Sequence, residues 1–233
     1  MKYLTIIIPS RNEERVILKT LKSLVRGVKV PYEIIIVDDH SNDRTEIIVK
    51  KYIKKYKNIH LIKNRRSPGF AHAVYSGFKA AKTKFVVPVM ADLCDDPKTI
   101  NRMYKTMIKG KWDIVCGSRY MPRGGKRGGP FIQGLFSRIV GTTLNFLIKI
   151  PTSDISNAFK MYKRNLINKL KINPGGVEFS MDITLQLYSK GVKITEVPTF
   201  WTGRTIGQSK FKLLKRAPKY IKLYLGALKD HYL

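Results

Sequence analysis

The chain alternates short runs of apolar, β-branched residues with longer segments in which apolar positions recur every three or four residues. The apolar run at residues 4–8 ends at Pro9 and predicts a strand that is buried on both faces. Residues 13–26 then show helical spacing, with Asn12 as the expected N-cap and Gly27 as the expected end of the helix. This strand and helix form the first unit of a pattern that repeats along the chain.

The same two patterns alternate through most of the sequence. The further predicted strands span residues 33–37, 59–62, 85–90, 112–116 and 192–197, and the further predicted helices span residues 43–56, 70–82, 97–109, 134–150 and 178–190. Strands that alternate with helices of this length are typical of parallel pairing through right-handed crossovers. The pattern predicts an α/β fold with a mostly parallel, Rossmann-like sheet and helices on both faces.

Three segments in the second half of the chain depart from this alternation. Residues 123–129 are basic and rich in glycine, which predicts a mobile loop. The helix predicted at residues 134–150 is apolar around much of its circumference, so it is either a core helix or a surface that rests on a membrane. From Lys210 onward the tail is amphipathic and lysine-rich, and Pro218 is expected to divide it into two helical pieces.

The composition adds a large excess of positive charge. The chain has 233 residues, 43% of them hydrophobic, which is enough for one sizeable core. Its 45 lysines and arginines outnumber 16 aspartates and glutamates, which gives a net charge of +29. Such a charge favours anionic partners: nucleic acids, anionic membrane surfaces or phosphorylated substrates. The sequence patterns of the common nucleic-acid-binding modules do not occur, so we expect no nucleic-acid partner.

The cysteines and the apolar segments bear on where the protein works. Cys94 and Cys116 are far apart in the sequence and lie in no Cys/His cluster, so neither a disulfide framework nor a zinc site is indicated. The N-terminal residues lack the features of a signal peptide. No uninterrupted apolar run reaches about 18 residues, so we predict no membrane-spanning helix. A soluble or peripheral protein is expected.

Charged residues follow several of the predicted strands directly. In open α/β sheets, ligands bind outside the carboxyl ends of the strands. Glu13 follows the first strand, Asp39 the second, Asp92 the fourth and Arg119 the fifth. Carboxylates are scarce in this chain, so their placement at strand ends predicts a polar ligand site along one edge of the sheet.

Five motifs carry a resemblance to a known family. They are Ile-Pro-Ser-Arg-Asn-Glu-Glu (8–14), Ile-Val-Asp-Asp-His-Ser-Asn-Asp (36–43), Ala-Asp-Leu with Asp-Asp-Pro (91–97), Gly-Ser-Arg-Tyr (117–120) and Arg-Thr-Ile-Gly-Gln-Ser-Lys (204–210). In their order and spacing the chain resembles family 2 glycosyltransferases, and within them the dolichol-phosphate mannose synthases and related polyprenyl-phosphate glycosyltransferases. The resemblance covers residues 4–211 and implies a GT-A fold. It also implies an inverting transfer of mannose or another hexose from a nucleotide sugar to a dolichyl or polyprenyl phosphate.

The resemblance assigns a GDP- or UDP-linked donor to the ends of the first two strands. The residues that would hold its base and ribose are Pro9, Arg11, Glu13, Val37 and Asp39. Arg204 and Lys210 match the pair that binds the donor diphosphate, a task that suits the bidentate fork of a guanidinium. For Glu13 the alternative is a purely structural acid at the start of a helix.

The resemblance also implies a divalent cation, Mg²⁺ or Mn²⁺, beside the diphosphate. Ala91 and Asp92 match the end of the family's Asp-x-Asp motif, which would make Asp92 both a metal ligand and a catalytic residue. Met90 stands where the first aspartate of that motif is expected. Asp95 and Asp96 are open as replacements, although Asp96 also fits an ordinary helix start. A catalytically weak relative that only binds nucleotide or lipid is therefore an alternative.

Arg119 and Arg138 match the positions that hold the acceptor phosphate, and with Asp92 they are the implied catalytic residues. A lipid phosphate is already anionic at neutral pH, so it needs no general base. Catalysis then consists of aligning the two substrates and neutralising the leaving diphosphate. A hydroxyl acceptor would need a base, for which Glu178 and Asp182 are the candidates.

The resemblance and the charge together predict a two-part chain. We expect a glycosyltransferase domain at residues 1–209 and a basic amphipathic tail at residues 210–233. Each lysine or arginine near an anionic leaflet contributes about 1 kcal/mol. The apolar helix at residues 134–150 and the basic segment at residues 204–229 therefore predict peripheral binding to the cytoplasmic face of a membrane. A small membrane-anchoring protein is the other expected route to the bilayer.

Overall fold

The computed structural model describes residues 3–170, 176–204 and 213–232. The strands are β1 (Leu4–Ser10), β2 (Tyr32–Asp38), β3 (Ile59–Lys63), β4 (Phe85–Pro88), β5 (Ile114–Ser118), β6 (Gly125–Arg127), β7 (Lys160–Lys163), β8 (Ile194–Pro198) and β9 (Phe200–Thr202). The helices are α1 (Ile17–Gly27), α2 (Thr45–Ile53), α3 (Phe70–Ala80), α4 (Lys98–Lys109), α5 (Phe131–Ile148), α6 (Phe179–Tyr188) and α7 (Leu213–Tyr232), with a 3₁₀ helix at Arg164–Lys169.

A seven-stranded sheet in the order β3-β2-β1-β4-β7-β5-β8 forms the centre of the protein. All neighbouring pairs are parallel except those of β7, which runs antiparallel to β4 and β5. One apolar cluster joins the sheet to α3, α5 and α6, and a second joins it to α1, α2 and α4. The predicted α/β fold, with a mostly parallel sheet covered on both faces, is confirmed.

Strand β7 was not predicted, because its sequence of Lys-Met-Tyr-Lys does not look like a buried strand. Lys160 is nevertheless fully buried. Its ammonium group donates hydrogen bonds to the carbonyl oxygens of Ile155 (2.8 Å) and Asn157 and to the hydroxyl of Ser180 (3.0 Å). Burial lowers the pKa of Lys160 to about 8. Three acceptors compensate the buried lysine and fix the loop that precedes β7.

Helix α1 ends at Gly27 as predicted but starts later than predicted. Asn12 is not its N-cap, since the residue has a left-handed backbone with φ of 51°. Its side-chain oxygen instead accepts a hydrogen bond from the backbone N–H of Asn42 (2.9 Å). The carbonyl of Glu13 accepts from the N–H of Ile17 (2.9 Å), where the helix begins. The residues between β1 and α1 therefore form a separate loop.

The prediction of a mobile glycine-rich loop was wrong. Strand β6 lies within it and pairs in parallel with β9 in a second, two-stranded sheet. The backbone N–H of Gly125 donates to the carbonyl of Thr199 (3.0 Å), so the backbone is held by ladder hydrogen bonds. Gly128 and Gly129 have φ of 72° and 74°, which glycine adopts without steric cost. The glycines turn the chain between β6 and α5.

The prediction that Pro218 divides the tail was also wrong, because α7 continues through this residue. Pro218 removes one backbone hydrogen bond from the helix, and the helix continues in spite of this loss. The helix packs on α5 and α6. Tyr220 is buried in the main core, with its ring edge-on to Phe136 of α5 at a centroid distance of 6.1 Å. The proposed boundary at residue 210 lies outside the described residues and stays a prediction.

Helix α5 has one packed face and one exposed apolar face. Its inner stripe includes Val140, Leu144 and Ile148 in the core. Its outer side exposes large apolar residues, namely Phe131, Ile132, Leu135, Ile139 and Phe146. Among the described helices, α5 alone is long and apolar enough to cross a membrane by length and composition. The expectation of no such helix relied on uninterrupted apolar runs, whereas α5 is apolar on average and interrupted by polar residues.

Candidate donor and acceptor sites

Two loops at the carboxyl edge of the sheet are hydrogen-bonded to each other. The backbone N–H of Glu13, after β1, donates to the hydroxyl of Thr45 (2.8 Å), and that of Glu14 donates to the carboxylate of Asp43 (3.1 Å). Burial would raise the pKa of Asp43, but hydrogen bonds from Thr45 and Glu14 hold it below its ordinary value. Asp43 therefore connects the loops after β1 and β2, and it is a structural residue.

The predicted base and ribose residues lie around these loops. Asp39 is buried, and its carboxylate accepts hydrogen bonds from the Asn64 side chain (2.7 Å) and from the N–H of Gly69 at the start of α3 (2.9 Å). The Val37 side chain lies in the core, so it does not face the edge of the sheet. Arg11 is exposed at the outer side of the loop after β1. Pro9 is partly exposed at the end of β1.

Arg204 lies between two of the predicted site carboxylates. Its guanidinium group donates from Nη2 to both oxygens of Glu13, at 2.8 and 2.9 Å. Its Nε lies 3.6 Å from the carboxylate of Asp92. The three side chains are 10 to 16% exposed. Burial would lower the pKa of Arg204, but Glu13 and Asp92 raise it above its ordinary value, so the guanidinium stays charged.

The small sheet positions Arg204. Directly before it, the N–H of Gly203 donates to the carbonyl of Arg127 (2.7 Å). The N–H of Thr202 donates to the carbonyl of Cys94 (3.0 Å), which ties β9 to the loop that carries Asp92. Glu13 and Arg204 are 191 residues apart in the sequence, and these backbone contacts bring them together. The predicted partner Lys210 lies outside the described residues.

Of the three carboxylates that follow β4, Asp92 and Asp95 lie close to each other, whereas Asp96 has a structural role. Asp95 accepts a hydrogen bond from the N–H of Met90 (3.3 Å), and burial together with the charge of Asp92 raises its pKa to about 7. Asp96 accepts from the N–H of Lys98 (3.0 Å) at the start of α4, so it is an ordinary helix-start residue. Within the described residues, no group of three or more histidines, cysteines and acids forms a metal site.

Two carboxylates fit a divalent cation that is completed by other oxygens. Asp92 and Asp95 offer the hard oxygen ligands that Mg²⁺ and Mn²⁺ prefer. Phosphate oxygens and waters would supply the remaining positions, as is usual for Mg²⁺. Asp95 lies close enough to Asp92 for the charge of Asp92 to raise its pKa, so it stays the candidate replacement for the acid missing at Met90. The carbonyl of Ala91 accepts a hydrogen bond from the Thr20 hydroxyl (2.7 Å), which fixes the turn between the strand and these acids.

Arg119 is held by a carboxylate that sequence reasoning missed. The Asp154 oxygens accept from its Nε and Nη2, both at 2.7 Å, and from its backbone N–H at 2.9 Å. Asp154 is fully buried. Burial would lower the pKa of Arg119, but Asp154 raises it strongly, so the arginine remains a fixed positive charge. The only signal was the hydroxyl-rich segment at residues 152–157, which had no place in the predicted strands and helices.

The same arginine is connected to the apolar helix. Arg119 Nη2 donates to the hydroxyl of Ser137 on α5 (3.0 Å), and Ser137 is hydrogen-bonded to Ser156. Arg138, the next residue of α5, is exposed rather than packed against Arg119. The structure therefore brings Arg119 and α5 together, and leaves Arg138 at the surface beside them.

The two candidate general bases lie at the start of α6. Glu178 is ion-paired with Arg216 (3.0 Å) and Lys219 (3.5 Å) of α7. Burial would raise the pKa of Glu178, but the Gly176 N–H and these cations hold it below its ordinary value. Asp182 accepts a hydrogen bond from Gln186 within α6 (2.9 Å). A low-pKa, ion-paired carboxylate is a poor proton acceptor at neutral pH.

Known proteins are similar in sequence to this chain over most of its length. The sequence profile of "Glycosyl transferase family 2" matches residues 5–171. A dolichol-phosphate mannosyltransferase of Pyrococcus furiosus is 30% identical over 89% of this chain and 59% of that protein, so this chain spans less than two thirds of its length. A polyprenol monophosphomannose synthase of Mycolicibacterium smegmatis is 27% identical over 88% of this chain and 79% of that protein.

Solved structures share the fold. Glucosyl-3-phosphoglycerate synthase from Mycobacterium tuberculosis, in complex with Mn²⁺, UDP and glucosyl-3-phosphoglycerate, has a TM-score of 0.72 at 16% identity over 99% of this chain and 80% of that chain. S. aureus TarS 1–349 in complex with UDP-GlcNAc has a TM-score of 0.70 at 19% identity over 100% of this chain and 68% of that chain. These similarities support the GT-A-like architecture. Because the profile match covers most of the sequence, the chain belongs to glycosyl transferase family 2.

Proposed function

We propose that this protein transfers a sugar from a nucleoside diphosphate sugar to the phosphate of a dolichyl or polyprenyl lipid at a membrane surface. Both named relatives are described as acting on such a lipid phosphate, and both names specify mannose. GDP-mannose is therefore the first donor to test, with UDP sugars as the alternative.

One observation carries the proposal for the acceptor. Arg119, a fixed cation at the carboxyl end of β5, is hydrogen-bonded through Ser137 to a helix whose outer face is exposed and apolar. A lipid phosphate presents these two chemistries side by side, an anionic head and a hydrocarbon chain. Nε and Nη2 of Arg119 donate to Asp154 and Ser137, so Nη1 is the group through which this cation would donate a charge-assisted hydrogen bond to the phosphate head. The outer face of α5 suits the chain or the bilayer around it.

We assign the nucleotide-sugar donor to the carboxyl ends of β1, β2 and β4. Asp39 and the loops after β1 and β2 would hold the base and ribose, and Arg204 would bind the diphosphate. An oxygen of the acceptor phosphate then attacks the anomeric carbon as the bond from that carbon to the donor diphosphate breaks. The anomeric configuration inverts, and the nucleoside diphosphate leaves with the bonding electrons. The role of the protein is alignment and charge neutralisation.

A divalent cation would assist the leaving group. Asp92 and Asp95 are the residues that would hold Mg²⁺ or Mn²⁺, and the ion would neutralise charge on the diphosphate. The ion pairs of Glu178 favour a phosphate acceptor over a hydroxyl acceptor, because they leave that carboxylate poorly suited to remove a proton.

The membrane location rests on surface chemistry. Large exposed apolar residues occur on α5 and also on α7, where Ile221 and Leu225 are about half exposed. Apolar area and positive charge together bind interfacial helices to anionic lipids. We therefore place α5 and α7 against the cytoplasmic leaflet, with a small anchoring protein as a further partner.

Product formation tests the proposal directly. Purified protein is incubated with radiolabelled GDP-mannose or UDP-glucose, a polyprenyl phosphate in detergent, and Mn²⁺ or EDTA. We expect lipid-linked sugar that requires the lipid phosphate, and much less product with polyprenol, which lacks the phosphate. Nucleotide binding without turnover on any lipid phosphate would instead identify a catalytically weak relative.

A further inference from the structure

We propose that the Glu13–Arg204 pair is an internal counter-ion latch: the donor diphosphate must displace Glu13 from Arg204, and a divalent cation at Asp92 makes that displacement easier. This inference rests on the proposed function, because it assigns the two ligands to the same site. It gives Glu13 a positioning role toward Arg204 in place of the ribose contact that the family resemblance implies.

The latch is defined by its geometry. Arg204 contributes the cation that a diphosphate would need, yet its Nη2 already donates to both oxygens of Glu13. The side chains of Arg204 and Glu13 are only 14% and 10% exposed, so solvent screens the pair weakly. A diphosphate that binds Arg204 must therefore compete with a carboxylate that holds the same nitrogen.

The divalent cation acts on Arg204 through Asp92, the second carboxylate beside the guanidinium. Asp92 lies 3.6 Å from Arg204 Nε, so the guanidinium supplies positive charge where the metal ion would bind. A metal ion bound to Asp92 would neutralise this carboxylate and so weaken its attraction for Arg204. With that attraction weaker, the arginine is more easily captured by the diphosphate. Each ligand weakens the contacts that oppose the other, which is positive coupling between two binding events.

The backbone supports a small movement of Arg204 rather than a large one. Gly203, directly before it, and Thr202 are both fixed by backbone hydrogen bonds to other loops. The side chain can therefore change partners while β9 stays in place. The coupling belongs to the side chains of three residues: Glu13, Asp92 and Arg204.

Nucleotide binding without metal tests the latch. The full chain is titrated calorimetrically with GDP, and separately with UDP, in EDTA. Glu13→Gln should bind the preferred nucleotide at least about threefold more tightly than the wild type, because a neutral amide competes weakly for Arg204. Glu14→Gln is the matched control. It removes one negative charge from the same loop, from a carboxylate that lies near the exposed Arg44 (3.9 Å), and should leave the affinity unchanged.

A double variant separates the latch from general charge repulsion. In an Arg204→Gln background, the additional Glu13→Gln change should give no gain in nucleotide affinity. Titration of Mn²⁺ without nucleotide, followed by water proton relaxation, gives a second measure. Arg204→Gln alone should bind Mn²⁺ at least about threefold more tightly, because the competing positive charge at Asp92 is gone. A misfolded variant would show losses rather than these gains.

The outcomes are distinguishable. Weaker or unchanged nucleotide binding by Glu13→Gln with a wild-type melting temperature would overturn the latch, and weaker binding by such a folded variant would make Glu13 a direct donor ligand. A gain that persists without Arg204 would also overturn it, in favour of simple repulsion. In both cases the proposed transferase function stands. If the wild type bound neither GDP nor UDP in the presence of Mn²⁺, both the latch and the proposed function would be contradicted.

Discussion

Single residues at the sheet edge show how this protein uses its few carboxylates. Asp43 joins two loops, Asp39 fixes the start of α3, and Asp154 locks Arg119. Each acid therefore holds a neighbouring segment or cation in place. Asp92, Glu13 and Asp39 could be selected from the sequence because they follow strands. Asp154 could not be selected, because its function depends on an arginine that is 35 residues away.

Removal of the Asp154 charge should expose the cost of a buried, unpaired arginine. Asp154→Asn is expected to lower the free energy of unfolding by about 3 kcal/mol, since one partner of a buried ion pair is lost. Arg119→Met combined with Asp154→Asn should cost less than the sum of the two single changes. Urea denaturation of all four proteins measures this coupling. Additive effects would contradict a direct pairing.

The same variant should separate the two substrate sites. Asp154→Asn is expected to raise the KM for the lipid phosphate at least about tenfold, because Arg119 loses its fixed orientation. The affinity for GDP or UDP should stay near that of the wild type, because Asp154 does not contact the donor residues. An equal loss at both sites would indicate a general structural defect.

At the scale of whole elements, the apolar pattern predicted most of the sheet and helices but not their joining pieces. Continuous apolar runs identified β1, β2 and β4 because these strands are covered on both faces. Strand β7 was missed because a buried lysine looks polar in the sequence. The ladder of β6 and β9 was missed because it depends on a partner segment far along the chain. That ladder positions Arg204, so the contact of Arg204 with Glu13 could not be predicted from local patterns.

Close packing of α5 on the segment that carries Ser153 and Asp154 gives a stability prediction. An added Cβ at Gly141 would overlap the carbonyl oxygen of Ser153, next to Asp154. Gly141→Ala should therefore cost about 2 kcal/mol, as overpacking does. Gly226→Ala is the matched control, because it lies in α7 with nothing within 4 Å of the added carbon, and it should be neutral or slightly stabilising. Chemical denaturation compares them, and equal effects would contradict the close contact.

Asp113, directly before β5, gives a pH prediction. Asp113 bonds to Lys163 (2.7 Å) and to the N–H of Lys193 (3.0 Å). Burial would raise the pKa of Asp113, but these partners hold it below its ordinary value of 3.8. A lowered pKa contributes stability that is present above about pH 4 and lost as the pH falls through the folded value. The melting temperature of Asp113→Asn should be below that of the wild type at pH 7, and the difference should shrink below pH 4.

For the whole molecule, the two faces of the sheet carry different surfaces. The face with α5, α6 and α7 exposes a group of large apolar side chains on α5 and α7, whereas α1, α2 and α4 cover the other face. A net charge of +29 favours anionic partners in general and does not distinguish one side of the protein from the other. The exposed apolar residues of α5 and α7 do distinguish one side of the protein from the other. The sequence indicated a preference for anionic partners, whereas the exposed apolar side of α5 could be identified only from its packing.

Membrane binding should depend on the exposed apolar residues of α5. Ile139→Glu with Phe146→Glu is expected to reduce binding to vesicles that contain anionic lipid at least about tenfold, because apolar area is lost and negative charge is added. Ile47→Glu with Ile108→Glu is the matched control, since these two exposed residues lie on α2 and α4 at the opposite face of the sheet. Flotation at low and high salt measures binding. Equal losses in both proteins would show that charge alone attaches the protein.

The contact between Ser137 and Arg119 has a consequence for kinetics. If the outer face of α5 rests on lipid, this hydrogen bond holds the acceptor cation at a fixed height above the bilayer. Acceptors then reach the enzyme by lateral diffusion within the leaflet, and the rate follows their surface density rather than their concentration in the sample. Diluting the lipid phosphate with inert phospholipid, at constant total amount, should slow turnover. A water-soluble short-chain phosphate would escape this surface dilution.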